Sequence, residues 1–311
     1  VLKITNPTRP KSLDELLDAQ LVARLSALDV SARKVLAGKM KGERRSKRRG
    51  QSVEFADHRP YAIGDDLRHI DWNILGRLDR LFLKLFLEEE DLSLHIVIDA
   101  SGSCDAGSPS KFVLMQKLAA ALGYVGLANM HRVHVTAVGG LDAQANPQLL
   151  STVRDLRGSR RLSELSRFLL QIEPGGPGAF TEACKRIALT RRGKGVMLVV
   201  SDFLIKEGYE EGLRLLLGGG YELHAVQVLS PQELEPDIGG DLRLKDCEDG
   251  DLAEVTISAS LLKQYKATLA AYVARLREFC AQRGVAFQTI PSSTPVDVLV
   301  LDYLRRKGLV R

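Results

Sequence analysis

The sequence predicts an α/β protein built on a doubly wound, mainly parallel sheet, and three observations carry that expectation. Short β-branched apolar runs recur along the chain, at residues 92–98, 131–138, 196–200 and 223–229. Stretches of helical spacing alternate with them, the order that parallel strands and crossover helices require. Two of the runs end abruptly in acids and hydroxyls, Asp99-Ala-Ser101-Gly-Ser103 after one and Ser201-Asp202 after the other. Ligands bind open α/β sheets at the carboxyl ends of the strands, so function is expected there.

Taken in order, residues 1–10 read as an extended lead-in. Ser12 caps a helix whose apolar positions are Leu13, Leu16, Leu17, Leu21, Leu25 and Leu28. The basic run Lys39–Arg49 follows, with no aromatic residues interleaved to stack on bases. Two short strands are expected around Val53 and over 81–87. The charges between them alternate in sign, and Arg59 and Arg68 are available as structural partners for Asp65, Asp66 and Asp71. Residues 1–90 thus form an N-terminal helix, basic loop and small β subdomain, and 91–311 the main domain.

Within that domain, Leu92–Ile98 is a buried strand and Lys111–Met130 a helix. Residues 139–159 are polar and suggest an edge strand with a long loop. Helices are expected over 161–172, over 181–192 with Thr181 as cap, and over 204–217. Asp249-Gly250 lies between two strand-like runs and predicts a β-hairpin insertion near 240–258. A long amphipathic helix over 261–283 carries Leu262, Tyr265, Leu269, Tyr272, Leu276 and Phe279 on one face, read as core. A last strand over 285–290 and a closing helix over 296–307 complete the chain.

Composition bounds the function classes. The 311 residues are 45% hydrophobic and 27% charged with a net charge of +5, ordinary values for a globular protein with room for two domains. The four cysteines are widely separated and contain no Cys-x-x-Cys pair, which argues against zinc and for reduced thiols in a cytoplasm. No apolar run reads as a membrane span, and the first residues do not read as a signal peptide. There is no Gly-x-x-x-x-Gly-Lys-Ser/Thr loop for ATP and no Gly-x-Ser-x-Gly, and no histidine is spaced to serve as a base for Ser101. The expectation is a protein that is not an enzyme.

Asp99, Ser101 and Ser103 alternate, so a curled loop turns their oxygens towards one point. Hard oxygen donors of this kind suit Mg²⁺ or Mn²⁺. Three donors are too few for an octahedral ion, and the glycine-rich Pro174–Ala179 loop leading to Thr181 and the strand end at Asp202 supply two more. Serine and aspartate after a strand also serve as ordinary turn and cap residues, and that reading stands beside the metal one. Asp-x-Ser-x-Ser, then Thr, then Asp resembles the metal-ion-dependent adhesion site (MIDAS) of von Willebrand factor A domains.

A second resemblance covers more of the chain. Glu54-Phe55, Arg59-x-Tyr61, Gly64-Asp65-Asp66-x-Arg68-x-Ile70-Asp71-Trp72 and Lys84-x-Phe86 followed by Glu-Glu lead directly into Asp-x-Ser-x-Ser. This block closely resembles the bacterial domain of unknown function 58 family of von Willebrand factor A-like proteins, from about residue 50 to residue 231. One departure is Cys104, where the family usually has methionine. The resemblance implies a metal-dependent interaction module binding Mg²⁺ or Mn²⁺ weakly through Asp99, Ser101, Ser103, Thr181 and Asp202. It also implies a cytoplasmic adaptor for a MoxR-type AAA+ ATPase, with that ATPase or a client protein supplying an acidic residue. The alternatives are nucleic-acid binding through residues 39–49, or an unrecognised metal-dependent hydrolase.

Overall fold

The computed structural model describes residues 8–30, 54–63, 65–87, 92–191, 193–248, 250–306 and 308–310. They fall into two units, Val1–Gly38 with Leu92–Arg311, and Lys39–Asp91. The basic run Lys39–Arg49 and Val53 lie outside the described residues.

The N-terminal leucines form two helices rather than one, α1 (Leu13–Leu16) and α2 (Ala19–Leu25). Leu17 turns extended at φ −138°, and Asp18 starts the second helix by accepting the Leu21 N–H. Leu16, Leu17, Leu21, Leu25 and Leu28 are buried in the same cluster as Ile96, Ile98, Met115 and Leu122. The units divide between Asp91 and Leu92, but residues 1–38, expected in the N-terminal subdomain, belong with the main unit. The first helices pack into the main core, because a short amphipathic helix is stable only where its apolar face is covered.

In the smaller unit, β1 (Glu54–Pro60) and β2 (Phe82–Leu87) pair antiparallel. Between them, Asp71 caps α3 (Trp72–Leu78) by accepting from the Asn73 and Ile74 N–H groups. Arg59 pairs with Asp65 and Arg68 with Asp66, each at 2.7 Å, as expected. Asp71 differs: its partners are His58 at 2.9 Å and Lys84 at 3.5 Å, supplied by the two strands.

The main unit is a six-stranded sheet. Its strands are β3 (Ser93–Asp99), β4 (Arg132–Val138), β5 (Leu150–Leu156), β6 (Gly195–Ser201), β7 (Tyr221–Leu229) and an edge strand over Ala286–Pro291, in the order edge-β7-β6-β3-β4-β5. All neighbours are parallel except β5, which runs antiparallel to β4 as the polar edge that its sequence suggested. Every residue of β3, β6 and β7 is buried, which explains why those strands read as continuous apolar runs.

Helices cover both faces. Together with α1 and α2, α4 (Lys111–Ala128) and α5 (Leu162–Gln171) cover one side. The other side takes α6 (Phe180–Thr190) and α7 (Glu210–Leu216), with the end of a long helix, Ala259–Gln282, that follows the hairpin. α4 is long and apolar enough, by length and composition, to cross a membrane, which the sequence reading did not anticipate. Of its residues 78% are buried inside the protein, and that burial accounts for its apolarity. The helix expected from Leu204 starts only at Glu210, since Phe203 and Gly208 have φ of 54° and 88°.

After β7 come α8 (Pro231–Leu234) and the hairpin of β8 (Gly240–Lys245) and β9 (Leu252–Ile257). The long helix, α9 (Ala259–Gln282), buries Leu276 and Phe279 but leaves Tyr265 exposed, so only the later part of its apolar stripe is core. The edge strand over Ala286–Pro291 is β10, and Val296–Val298 continues into a π-helical turn over Leu299–Leu304.

Because Leu25 is fully buried in the sheet's own core, Leu25→Ala should destabilise the main unit by about 2–5 kcal/mol. Denaturant unfolding followed by tryptophan-independent far-UV signal checks this. An unchanged midpoint would show that the N-terminal helices are not part of the core.

Candidate metal centre

β3 and β4 lie to one side of the point where the strand order reverses, and β6 and β7 to the other. Asp99 is the last residue of β3, and Asp202 follows the last residue of β6. The two carboxylates therefore face each other across the topological switch point, where the crossovers diverge and leave a crevice. With the Cys104 thiol they form a buried cluster whose ligand atoms lie within 4.8 Å of one another.

Hydrogen bonds fix the Asp99 side. One carboxylate oxygen accepts from the Ser101 N–H at 2.9 Å and the Ser101 hydroxyl at 2.7 Å, and the other from the Ser201 hydroxyl at 2.6 Å. The Ser101 and Ser103 hydroxyls are 3.1 Å apart, so the loop curls to bring Ser103 beside the hydroxyl that bonds Asp99. The glycine-rich loop closes on this turn: Gly102 N–H donates to the Gly176 carbonyl, and Gly175 N–H to the Ala100 carbonyl. A Cβ at Gly178 would stand 3.1 Å from the Ser101 Cβ, so a larger residue would crowd the site. Thr181 follows within one helical turn, but as the second residue of α6 rather than its cap, which is Ala179.

The Asp202 side is held differently. One oxygen accepts from Leu204 N–H at 3.0 Å and the other from the Lys111 ammonium at 2.7 Å. Lys111 is fully buried and also donates to Glu233 at 2.5 Å. Glu233 belongs to the capping box of α8, accepting from the Ser230 N–H with its other oxygen. Phe203, at φ 54°, is a strained non-glycine residue; its ring is buried edge-on to Phe180 and its carbonyl accepts from the Tyr272 hydroxyl. The hairpin reaches this region as well, since a Cβ on Gly102 would meet the Cys247 carbonyl at 2.8 Å.

These surroundings decide the charges. Burial, and next the negative charge of Asp202, raise the Asp99 pKa, while hydrogen bonds from Ser201 and Ser101 pull it back only in part. Burial alone would lower the Lys111 pKa, but Asp202, Cys104 and Glu233 outweigh it and the net direction is upward, so Lys111 is an ammonium. Burial and the two aspartates push the Cys104 thiol well up, leaving it protonated and no soft thiolate ligand. A hard divalent cation fits the oxygens of Asp99, Ser101 and Ser103. Asp202 lies within reach of the same place, but Lys111 already neutralises it.

Sequence reasoning thus located Asp99, Ser101, Ser103 and Asp202, which the structure brings together; the structure places Thr181 in the first turn of α6. It missed Lys111, Glu233 and the bond that Ser201 makes to Asp99. It also missed Arg9, which pairs with Asp105 at 2.8 Å and with Glu173, tying the N-terminal segment to the loops around the site. The available signal for Lys111 was its place at the first position of a helix, where the macrodipole disfavours a cation unless acids lie opposite.

Residues 57–275 match the family model described as "Protein of unknown function DUF58". The chain belongs to that family. Its doubly wound, mainly parallel sheet is the fold class the sequence predicted. Two relatives of this DUF58 protein, the uncharacterized proteins Mb1516 of Mycobacterium bovis and Rv1480 of Mycobacterium tuberculosis, are each 26% identical over 278 residues, covering 88% of this chain and 86% of theirs. Among solved structures, the conserved hypothetical protein BatB from Bacteroides thetaiotaomicron is similar at a TM-score of 0.40 and 16% identity, over 70% of this chain and 98% of that one. A von Willebrand factor type A protein from Catenulispora acidiphila gives a TM-score of 0.40 at 10% identity, over 73% of this chain and 43% of that one.

Asp99→Asn removes one of two buried like charges and keeps an acceptor for Ser101. The raised pKa means that the folded state holds the Asp99 proton more tightly than the unfolded chain does. Asp99 therefore stabilises most below the ordinary carboxylate pKa, and that contribution declines as pH rises through the raised value. At neutral pH in EDTA, Asp99→Asn should melt at or above the wild-type temperature, with a smaller dependence on pH. A clear loss of stability would show the ionised carboxylate to be structurally required.

Proposed function

We propose that this DUF58 protein is a non-enzymatic interaction module that binds Mg²⁺ or Mn²⁺ weakly at the Asp99 loop and uses the ion to recognise an acidic residue of a partner. The observation that carries this reading is the convergence of Asp99, Ser101, Ser103 and Asp202 at the carboxyl ends of two neighbouring strands. The hydroxyls of Ser101 and Ser103 would hold the ion, with Asp99 and Thr181 contributing directly or through water and Asp202, bonded to Lys111, only through water. Mg²⁺ keeps several waters where few carboxylates are offered. Bound there, the ion would offer a coordination position to an anionic oxygen from outside.

The chain's own residues prepare that exchange. Ser101 and Ser201 orient the Asp99 carboxylate, and the Gly175–Gly178 loop allows the backbone to approach Ser101 closely. Among the described residues, the buried His95 bonds Thr136 and is held neutral, burial driving its pKa down to about 3. The partner proposed from the family resemblance is a MoxR-type AAA+ ATPase or its client, in assembly or chaperone-like work in the cytoplasm.

A dissociation constant of about 1 mM is expected for the ion alone, so roughly 10 mM Mg²⁺ or Mn²⁺ should stabilise by ~1.4 kcal/mol. For a chain of this length that is a melting shift of about 2 °C over EDTA. Ser101→Ala with Ser103→Ala should fold, lose that shift and lose metal-dependent capture of the ATPase in a pull-down. Undiminished capture by the double variant, or capture indifferent to EDTA, would overturn the proposal.

A further inference from the structure

We propose that Lys111 is a built-in cation of the metal centre, which holds Asp202 away from a divalent ion and so keeps the site weak. The inference rests on the metal-binding reading above and assigns a determinant of affinity and selectivity within that site. Lys111 is the first residue of α4, yet its side chain is wholly buried and ends between two acids, 2.7 Å from Asp202 and 2.5 Å from Glu233. Asp202 directly follows β6 and Glu233 lies in α8, so the ammonium ties the start of α4 to both. A lysine at a helix start normally extends into water, because the helix dipole repels it. Burial there requires acids opposite, and these two supply them.

The consequence for a divalent ion is twofold. Asp202 lies within 4.8 Å of Asp99 and would otherwise be the second anionic ligand, but one of its oxygens bonds the ammonium and the other the Leu204 N–H. The fixed positive charge also opposes a second cation at Asp99, and in a buried site that repulsion is little screened. What remains for the ion is one carboxylate and the Ser101 and Ser103 hydroxyls, a set that needs an acidic group from a partner to become tight. Lys111 thereby makes binding of the ion conditional on the partner. Small ammonium-sized charge at this point is supplied by the fold, whereas in its absence Asp202 and Glu233 would both seek a cation.

Replacing Lys111 should therefore turn the site towards divalent ions. Lys111→Met should melt well below the wild type in EDTA, since two buried acids lose their counter-charge, and Mn²⁺ should restore most of the loss. Titration calorimetry should show Mn²⁺ binding at least ten-fold tighter than to the wild type, and roughly 10 mM Mn²⁺ should about double the wild-type melting shift. Lys111→Gln with Glu233→Gln keeps a hydrogen-bond donor and removes the surplus acid, so it provides the same comparison if Lys111→Met folds only with Mn²⁺. Equal Mn²⁺ responses in the wild type and both variants would overturn the role of Lys111 and leave the metal-binding reading standing. Responses in the variants alone would support the role of Lys111 and overturn binding by the unassisted wild type. No response in any of the three would overturn both.

Discussion

The contact on which this structure turns is the buried ammonium of Lys111 between Asp202 and Glu233. It joins the start of α4, the end of β6 and the short helix after β7, the three elements that border the crevice. A buried charge left without its partner costs about 3–5 kcal/mol, so the three elements cannot separate independently. The contact gives geometry more than net stability, because desolvating the three groups consumes most of the Coulomb gain. Gln227 reinforces it by donating to the Asp202 carbonyl, and Asp202 itself fixes the Leu204 N–H.

With Asp202 committed, Asp99 is left as the reactive half of a like-charged pair. Three hydrogen bonds satisfy it, all from residues of its own loop or of the adjoining strand. The arrangement is stiff, since Ser201 is itself held by the Phe203 N–H, and Phe203 pays for an unfavourable φ with a fully buried ring. Rigid oxygens beside a carboxylate pair of which Lys111 neutralises one half are consistent with the weak cation site proposed here. The hairpin carbonyl of Cys247 over Gly102 places a part of the chain beside the same opening, so approach to the Asp99 loop passes the β8–β9 turn.

Much of the fold was legible because fully buried parallel strands must be apolar and β-branched on both faces, and β3, β6 and β7 are buried throughout. Asp99, Ser101, Ser103 and Asp202 were legible because they interrupt those runs at their carboxyl ends. Where reading failed, the deciding contact was distant in sequence or set by the backbone. Lys111 finds its acids 91 and 122 residues away, and its place at the first position of a helix is a hint that does not say where those acids lie. Asp71 looked like a partner for the nearby arginines, but antiparallel pairing of β1 and β2 brings His58 and Lys84 to it. Leu16 to Leu28 had a clear apolar face, and only tertiary packing could show that the sheet's core covers it. The start of α7 moved to Glu210 because left-handed Phe203 and Gly208 stop a helix that the apolar spacing alone would allow.

The most direct test of the account is where a cation sits. Crystals of the wild-type protein soaked in Mn²⁺ and measured at the manganese absorption edge would locate the ion by its anomalous signal. The account predicts a partly occupied peak at the oxygens of Asp99, Ser101 and Ser103, with the Lys111 ammonium still bonded to Asp202. A fully occupied ion bridging Asp99 and Asp202, with Lys111 displaced from Asp202, would contradict it.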